Sequence, residues 1–146
     1  MMHKNPDRSK VLNELFKISK LGMEASEIVI PHLRSRGLSS QIKRQDERYI
    51  NLMEKSRAML KQQSEEPNGV RKNMQNMLSG AVKSEIFMRN TPQHVAEMMV
   101  RGATMGIVGM TKVLNHTPDC DTKTRKMAEE YISAEEQNID SLKRFL

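Results

Sequence analysis

The sequence predicts an all-α fold, an up-and-down antiparallel four-helix bundle. Apolar residues recur at spacings of three and four over long stretches, and no segment shows the alternation that is typical of strands. Gly and Pro number 7 and 5 in 146 residues, too few for the many tight turns of a sandwich or barrel. The breaks between helical stretches are short, and short connections place consecutive helices side by side in opposite directions.

The first two helices are delimited by capping and helix-breaking residues. The first is expected to begin at Asp7 and to end at Gly37, with Pro31 loosening its last turn. Its stripe consists of Leu12, Phe16, Ser19, Met23, Ser26, Ile30 and Leu33. Ser39 or Ser40 is expected to cap the second helix. The stripe of that helix consists of Leu38, Ile42, Gln45, Tyr49, Leu52, Ser56 and Met59.

A third helical block, 70–90, is interrupted near Asn90-Thr91-Pro92. Thr91 is a good N-cap and Pro92 suits the first helical position, so a new helix is expected to begin there. The sequence leaves open whether this block and the block 92–117 are one broken helix or two. The stripe of the earlier block consists of Met74, Met77, Ala81, Glu85 and Met88. That of the later block consists of Val95, Met98, Met99, Gly102, Met105, Gly106, Gly109 and Val113.

The last helix follows Pro118, which stops the preceding one. Asp119 or Asp121 is expected to cap it. Its stripe consists of Ala128, Ile132, Glu135, Ile139, Leu142 and Leu146. The chain length suits one domain, which we place at 8–146 after a short N-terminal tail, 1–7.

Composition and charge restrict the partners and the location. The net charge is +6, but the excess is spread over several segments, so a nucleic-acid partner is not expected. Only 3% of the residues are aromatic, which leaves few side chains to stack on single-stranded bases. The single cysteine, Cys120, excludes an intramolecular disulfide. No apolar run approaches the roughly 20 residues of a membrane span, and we expect a cytoplasmic protein.

Methionine and glycine are distributed in a way that indicates helix packing. The 13 Met lie mostly on or beside the apolar stripes, which favours core packing over an adaptable partner groove or thioether metal ligation. Gly102, Gly106 and Gly109 lie inside a helix, where each costs about 1 kcal/mol relative to Ala. Close approach of a second helix, within the bundle or in a dimer, would offset that cost.

Three segments carry a resemblance to a known family. They are LFKISKLGME at 15–24, the stretch from GAVK at 80–83 through NTP at 90–92 to AEMMVRG at 96–102, and AEEQNIDSLK at 134–143. In this order, and over nearly the whole chain, the sequence resembles bacterial ferritin-like proteins of unknown function. The resemblance implies a ferritin-like four-helix bundle.

Ferritin-like proteins with a metal centre carry a Glu on each of two helices and Glu-x-x-His on each of the other two. Compared with that pattern, Glu135 lies mid-stripe, but Asn138 stands where His is expected, and Gln45 and Arg48 hold the matching positions of the second helix. We therefore expect no cofactor, and a buried polar layer of Gln45, Arg48, Glu135 and Asn138 instead. The alternative is an Fe or Mn site whose candidate ligands are Glu24, Glu85, Glu135 and Glu47.

The sequence contains no recognisable nucleophile–base pair and no phosphate-binding glycine loop, so we do not expect an enzyme. The favoured hypothesis is a non-catalytic bundle that acts by self-association, as a homodimer, or by binding an unknown protein partner. A broad similarity to spore-coat-related bundles of Gram-positive bacteria adds a structural role in sporulation to this hypothesis. The alternatives are a degenerate di-iron or manganese carboxylate protein and a basic DNA-associated bundle.

Overall fold

The computed structural model describes residues 5–68, 79–86 and 89–146. These residues form helices and no strands, which confirms the all-α prediction. The four long helices are α1 (Pro6–Val29), α2 (Arg36–Gln62), α3 (Pro92–Asn115) and α4 (Thr122–Leu142). Residues 79–86 are also helical, and 3-10 turns follow α1 and α4 at Ile30–His32 and Lys143–Phe145. None of the described helices is long and apolar enough to span a bilayer. The predicted stripe residues Met74, Met77 and Met88 lie outside the described residues.

The N-terminus of α1 differs from the prediction. Asn5 caps the helix, because its side-chain oxygen accepts the backbone N–H groups of Asp7 and Arg8, each at 3.1 Å. The predicted cap, Asp7, instead accepts the backbone N–H of Asp119 at 2.8 Å. A carboxylate that could cap its own helix therefore joins the start of α1 to the connection between α3 and α4.

The connection between α1 and α2 also differs from the prediction. Pro31 lies in the 3-10 turn that closes α1, because proline has no N–H for a further α-helical bond. The predicted end of the helix, Gly37, lies in the first turn of α2. The hydroxyl of Ser35 caps α2 by accepting a first-turn N–H at 3.3 Å. The predicted caps, Ser39 and Ser40, are therefore internal to the helix.

The starts of α3 and α4 agree with the prediction. Thr91 accepts the backbone N–H of His94 at 3.2 Å, and Pro92 is the first residue of α3. Of the two candidates for the last cap, Asp121 holds the position and accepts the backbone N–H and the hydroxyl of Thr124. Because Thr91 is extended and caps α3, this helix begins separately from the helical residues 79–86.

The members of two apolar clusters show the direction in which each helix runs. The first cluster contains Val11, Leu12, Leu15, Tyr49, Met59, Leu60, Met110, Leu114, Met127, Ala128 and Tyr131. The second contains Val29, Leu38, Ile42, Ile86, Val95, Met99 and Leu142. Helices α1 and α4 run from the first cluster to the second, and α2 and α3 run from the second to the first. The methionines buried in these clusters fill the core, as the sequence predicts.

The chain path is consequently not strictly up-and-down. Helices α1 and α2 form an antiparallel pair, as do α3 and α4, and α1 also packs on α3. Helices α2 and α3 run in the same direction, so the strictly alternating path was wrong at this step. Residues 63–91 separate α2 from α3 in the sequence, whereas alternation of consecutive helices requires a short connection. Helices α2 and α3 lie on opposite sides of the assembly, without substantial contact.

Candidate functional site

A buried carboxylate lies where the four helices meet. Glu135 on α4 is only 2% exposed. The hydroxyl of Tyr49 on α2 donates to both of its oxygens, at 2.8 and 2.9 Å. The side-chain amide of Asn138 donates to Oε1 at 2.7 Å, and the hydroxyl of Tyr131 lies 3.5 Å from Oε2. We call these four residues the central polar cluster.

Two glycines on the other two helices make room for its rings. A Cβ built on Gly22 of α1 would lie 2.8–2.9 Å from the ring of Tyr49. A Cβ built on Gly106 of α3 would overlap the hydroxyl of Tyr131. Contacts this short do not occur between real side chains, so both positions require glycine while the rings stay where they are. All four helices therefore shape the central polar cluster.

The electrostatics of the cluster favour donation of hydrogen bonds to Glu135. Burial raises the pKa of the Glu135 carboxyl, and the bonds from Tyr49, Asn138 and Tyr131 oppose that rise by stabilising the ionised form. Burial, followed by the Glu135 charge, also raises the pKa of both tyrosine hydroxyls. The tyrosines therefore keep their protons at neutral pH. The cluster consists of an acceptor surrounded by donors, shielded from solvent.

The structure corrects one member of the predicted polar layer. Gln45, Glu135 and Asn138 are buried, at 1%, 2% and 3% exposure. Arg48 is exposed at the edge of the core-facing side of α2, because it lies about 100° around the helix from the buried Tyr49, the next residue in the chain. Its charge acts on Glu135 only from outside, as a weak influence that lowers the pKa.

Sequence reasoning missed the two tyrosines that complete the cluster. Tyr49 lies on the predicted stripe of α2, and Tyr131 lies four residues before Glu135, but no hydrogen bond was predicted for either hydroxyl. The signal was available, because a buried tyrosine hydroxyl usually finds a polar partner. Gln45 lies one turn from Tyr49, and its Nε2 is buried without a hydrogen-bond partner in the described part of the chain.

The residues at the centre do not fit a metal. The oxygens of Glu135 already accept hydrogen bonds from three donors, and its neighbours are a primary amide and two protonated phenols. The other candidate ligands lie elsewhere: Glu47 is exposed, and Glu85 contacts His94 and Arg101 at 3.1 and 3.2 Å. Glu24 is half-buried on α1. Across residues 5–68, 79–86 and 89–146, no group of three or more His, Cys, Asp or Glu could hold an ion.

The three glycines of the predicted seam have different surroundings. Gly106 faces Tyr131 of α4, and a Cβ on Gly109 would lie 2.9 Å from the carboxylate of Glu14 on α1. Gly102 has open space where a Cβ would be. Two of the three glycines therefore allow close helix contact, and they do so against two different helices.

An exposed strip runs along the outer face of α3. Its five residues, spaced by four, four, three and four, are Glu97, Arg101, Met105, Val108 and Lys112. All five are exposed, and Met105 and Val108 are 71% and 47% exposed despite being large and apolar. The α3 strip therefore has an apolar centre, with an acidic residue at one end and a basic residue at the other.

Comparison of this chain with models of known protein families, with curated proteins and with solved structures finds no match.

Proposed function

We propose that this chain is a non-catalytic helical protein that acts by self-association, as a homodimer formed through the α3 strip. The observation that carries the proposal is the pair of exposed apolar side chains, Met105 and Val108, at the centre of that strip. Grouped apolar side chains on a protein surface mark contact sites for other proteins. The central polar cluster supports a structural role, because Glu135 is sealed from solvent and its oxygens are already hydrogen-bonded.

The charges of the strip favour a second copy of this chain as the partner. A two-fold axis across α3 would place two strips side by side in opposite directions. The midpoint between Glu97 and Lys112 falls beside Met105. In this arrangement each Glu97 would face Lys112 of the second copy, Met105 would pack at the centre, and Val108 would lie against the aliphatic part of Arg101 of the second copy. Opposite charges at matched distances from the axis would fix the register of the contact.

We further propose that the helices form a four-helix bundle of ferritin-like topology. The support is the direction of the four long helices: α1 and α2 form one antiparallel pair, α3 and α4 form another, and α2 and α3 run in the same direction, as in ferritin-like folds. A spore-coat-related structural role is compatible with self-association, and only the resemblance of the sequence suggests it. An experimental structure in which α2 and α3 run antiparallel would contradict the proposed topology.

Sedimentation equilibrium tests the dimer. The wild-type chain should sediment at twice its 16.8 kDa mass. Replacing both Met105 and Val108 by Glu should weaken association by roughly 30-fold or more, because charges would be buried at the centre of the contact. Leu146→Glu is the matched control, since Leu146 is 57% exposed but lies outside α3, and it should leave association unchanged.

A charge exchange tests the orientation of the two copies. Glu97→Lys and Lys112→Glu should each weaken the dimer by placing like charges opposite one another. The double variant restores opposite charges and should recover most of the lost affinity. A wild-type chain that stays monomeric would overturn the proposed self-association. If the double variant does not recover the affinity of the dimer, the antiparallel contact is overturned.

A further inference from the structure

Positive charge is concentrated on one helix. Helix α2 carries seven basic and three acidic side chains, whereas the rest of the described chain carries 14 basic and 15 acidic ones. The net positive charge of the described residues therefore comes from α2 alone. Counting charge by segment obscures this, because Glu65 and Glu66 follow α2 closely in the sequence but lie beyond its end.

The basic side chains of α2 are exposed to solvent, although Arg44 donates a hydrogen bond to Gln41 and Arg57 lies over the ring of Phe16. All seven are exposed: Arg36, Lys43, Arg44, Arg48, Lys55, Arg57 and Lys61. Within the part of the chain that the structure describes, the ion pairs involve other basic residues and none of these seven. Of the three acidic residues of α2, Asp46 is half-buried, and Glu47 and Glu54 are exposed among the basic residues, which leaves seven exposed positive and two exposed negative charges. We call this exposed side of α2 the α2 basic surface.

We propose that the α2 basic surface binds the phosphate backbone of duplex DNA, without reading its sequence. From Arg36 to Lys61 the helix extends for about 37 Å, at 1.5 Å per residue. Duplex DNA carries one negative charge for about every 1.7 Å of its axis, so cations spread along the length of a helix can contact several phosphates. Charge complementarity of this kind supplies non-specific affinity and needs no base contact.

The surroundings of the surface favour duplex DNA over other polyanions. Binding to single strands usually uses exposed aromatic rings, but Phe16, Tyr49 and Tyr131 are buried. A helix that lies on a membrane exposes large apolar side chains beside its charges. The large exposed apolar residues of the described chain are Met105, Val108 and Leu146, and none of them lies on α2.

This inference is independent of the proposed dimer. Helices α2 and α3 lie on opposite sides of the assembly, so contact through the α3 strip would leave the α2 basic surface free. A dimer would present two such surfaces facing away from each other. A monomer would present one, and its DNA binding would remain measurable.

Fluorescence anisotropy with a labelled duplex of about 30 base pairs, at salt concentrations from about 50 to 200 mM, tests the proposal. The triple variant K43Q/R44Q/K55Q removes three cations from the surface. The matched control K123Q/K126Q/R144Q removes two lysines and one arginine that are exposed on α4 and just beyond it. Both variants change the net charge by the same amount, so a difference between them reports the location of the site.

The wild-type chain should bind the duplex in a salt-dependent manner. The affinity for DNA should fall roughly 10-fold or more in the α2 variant and less than about 2-fold in the control variant. The slope of log affinity against log salt should become shallower by about 2.7, or about 0.9 for each lost phosphate contact. Circular dichroism should show both variants folded. Absence of binding at about 50 mM salt, or an equal loss in both variants, would overturn the proposal. Binding to phosphatidylserine vesicles in place of DNA would also overturn it.

Discussion

Two glycines four residues apart on α3 provide a matched test of how closely the centre is packed. Gly102 has open space where a Cβ would be, whereas a Cβ on Gly106 would overlap the hydroxyl of Tyr131. Substitution of either glycine by Ala changes the helix propensity of α3 by the same amount. The difference between the two variants therefore isolates the contact with Tyr131.

The magnitudes follow from helix propensity and packing. Gly102→Ala should stabilise the protein by about 0.5–1 kcal/mol, because Ala loses less backbone entropy in a helix. Gly106→Ala gains the same term but forces the buried ring of Tyr131 to move, and overpacking of this kind costs about 1–3 kcal/mol. The two variants should therefore differ by about 1–3 kcal/mol, with Gly106→Ala the less stable.

Urea unfolding followed by circular dichroism measures this difference. Tyr131→Phe provides a second check, because without the hydroxyl the closest ring atom would lie 3.3 Å from the added Cβ, a contact that a small shift relieves. In the Tyr131→Phe background, Gly106→Ala should cost about 1 kcal/mol less than it does in the wild type. Equal unfolding midpoints for Gly102→Ala and Gly106→Ala would refute the packing of Tyr131 against α3.

Two further substitutions test the electrostatics. Tyr49→Phe removes the donor to both oxygens of Glu135 and should cost about 1–3 kcal/mol; the loss should be larger near pH 8 than near pH 5, because the missing bonds stabilise the ionised carboxylate. Asp46→Asn addresses a carboxyl whose pKa is raised to about 6 by burial and by the charges of Glu27 and Glu47. As the pH rises, the unfolded state releases this proton before the folded state does. The wild type should therefore lose stability as the pH rises from about 4 to about 6. The variant should lose less and be about 0.5–1 kcal/mol more stable at pH 7, a small gain because solvent screens the group. Unfolding curves across this pH range check both variants.

The helix boundaries show how far sequence reasoning extends. Thr91 and Asp121 were predictable because each caps its helix within three residues of the chain, as side-chain chemistry dictates. Asp7 was a reasonable choice for α1, but its carboxylate accepts a hydrogen bond from Asp119, more than a hundred residues away. The local sequence identifies the residues that could cap a helix. It does not show whether one of them, such as Asp7, accepts a hydrogen bond from a distant part of the chain instead.

The candidate site was predictable only in part, for a similar reason. The stripe of α4 places Glu135 and Asn138 toward the core, as a period of 3.6 requires. Arg48 was placed wrongly, because a residue at the edge of the stripe turns inward or outward according to where the neighbouring helices pack. The tyrosine hydroxyls meet Glu135 only because Gly22 and Gly106 admit their rings.

The sequence by itself determined that this chain is helical, where α3 and α4 begin, and which residues of α4 enter the core. Those properties depend on periodicity and on caps, which act over a few residues. Only the tertiary structure decided that α2 and α3 run in the same direction, that two tyrosines surround one carboxylate, and that all seven basic side chains of α2 are exposed. Those properties depend on which faces of separate helices meet, and the order of residues along the chain does not specify that.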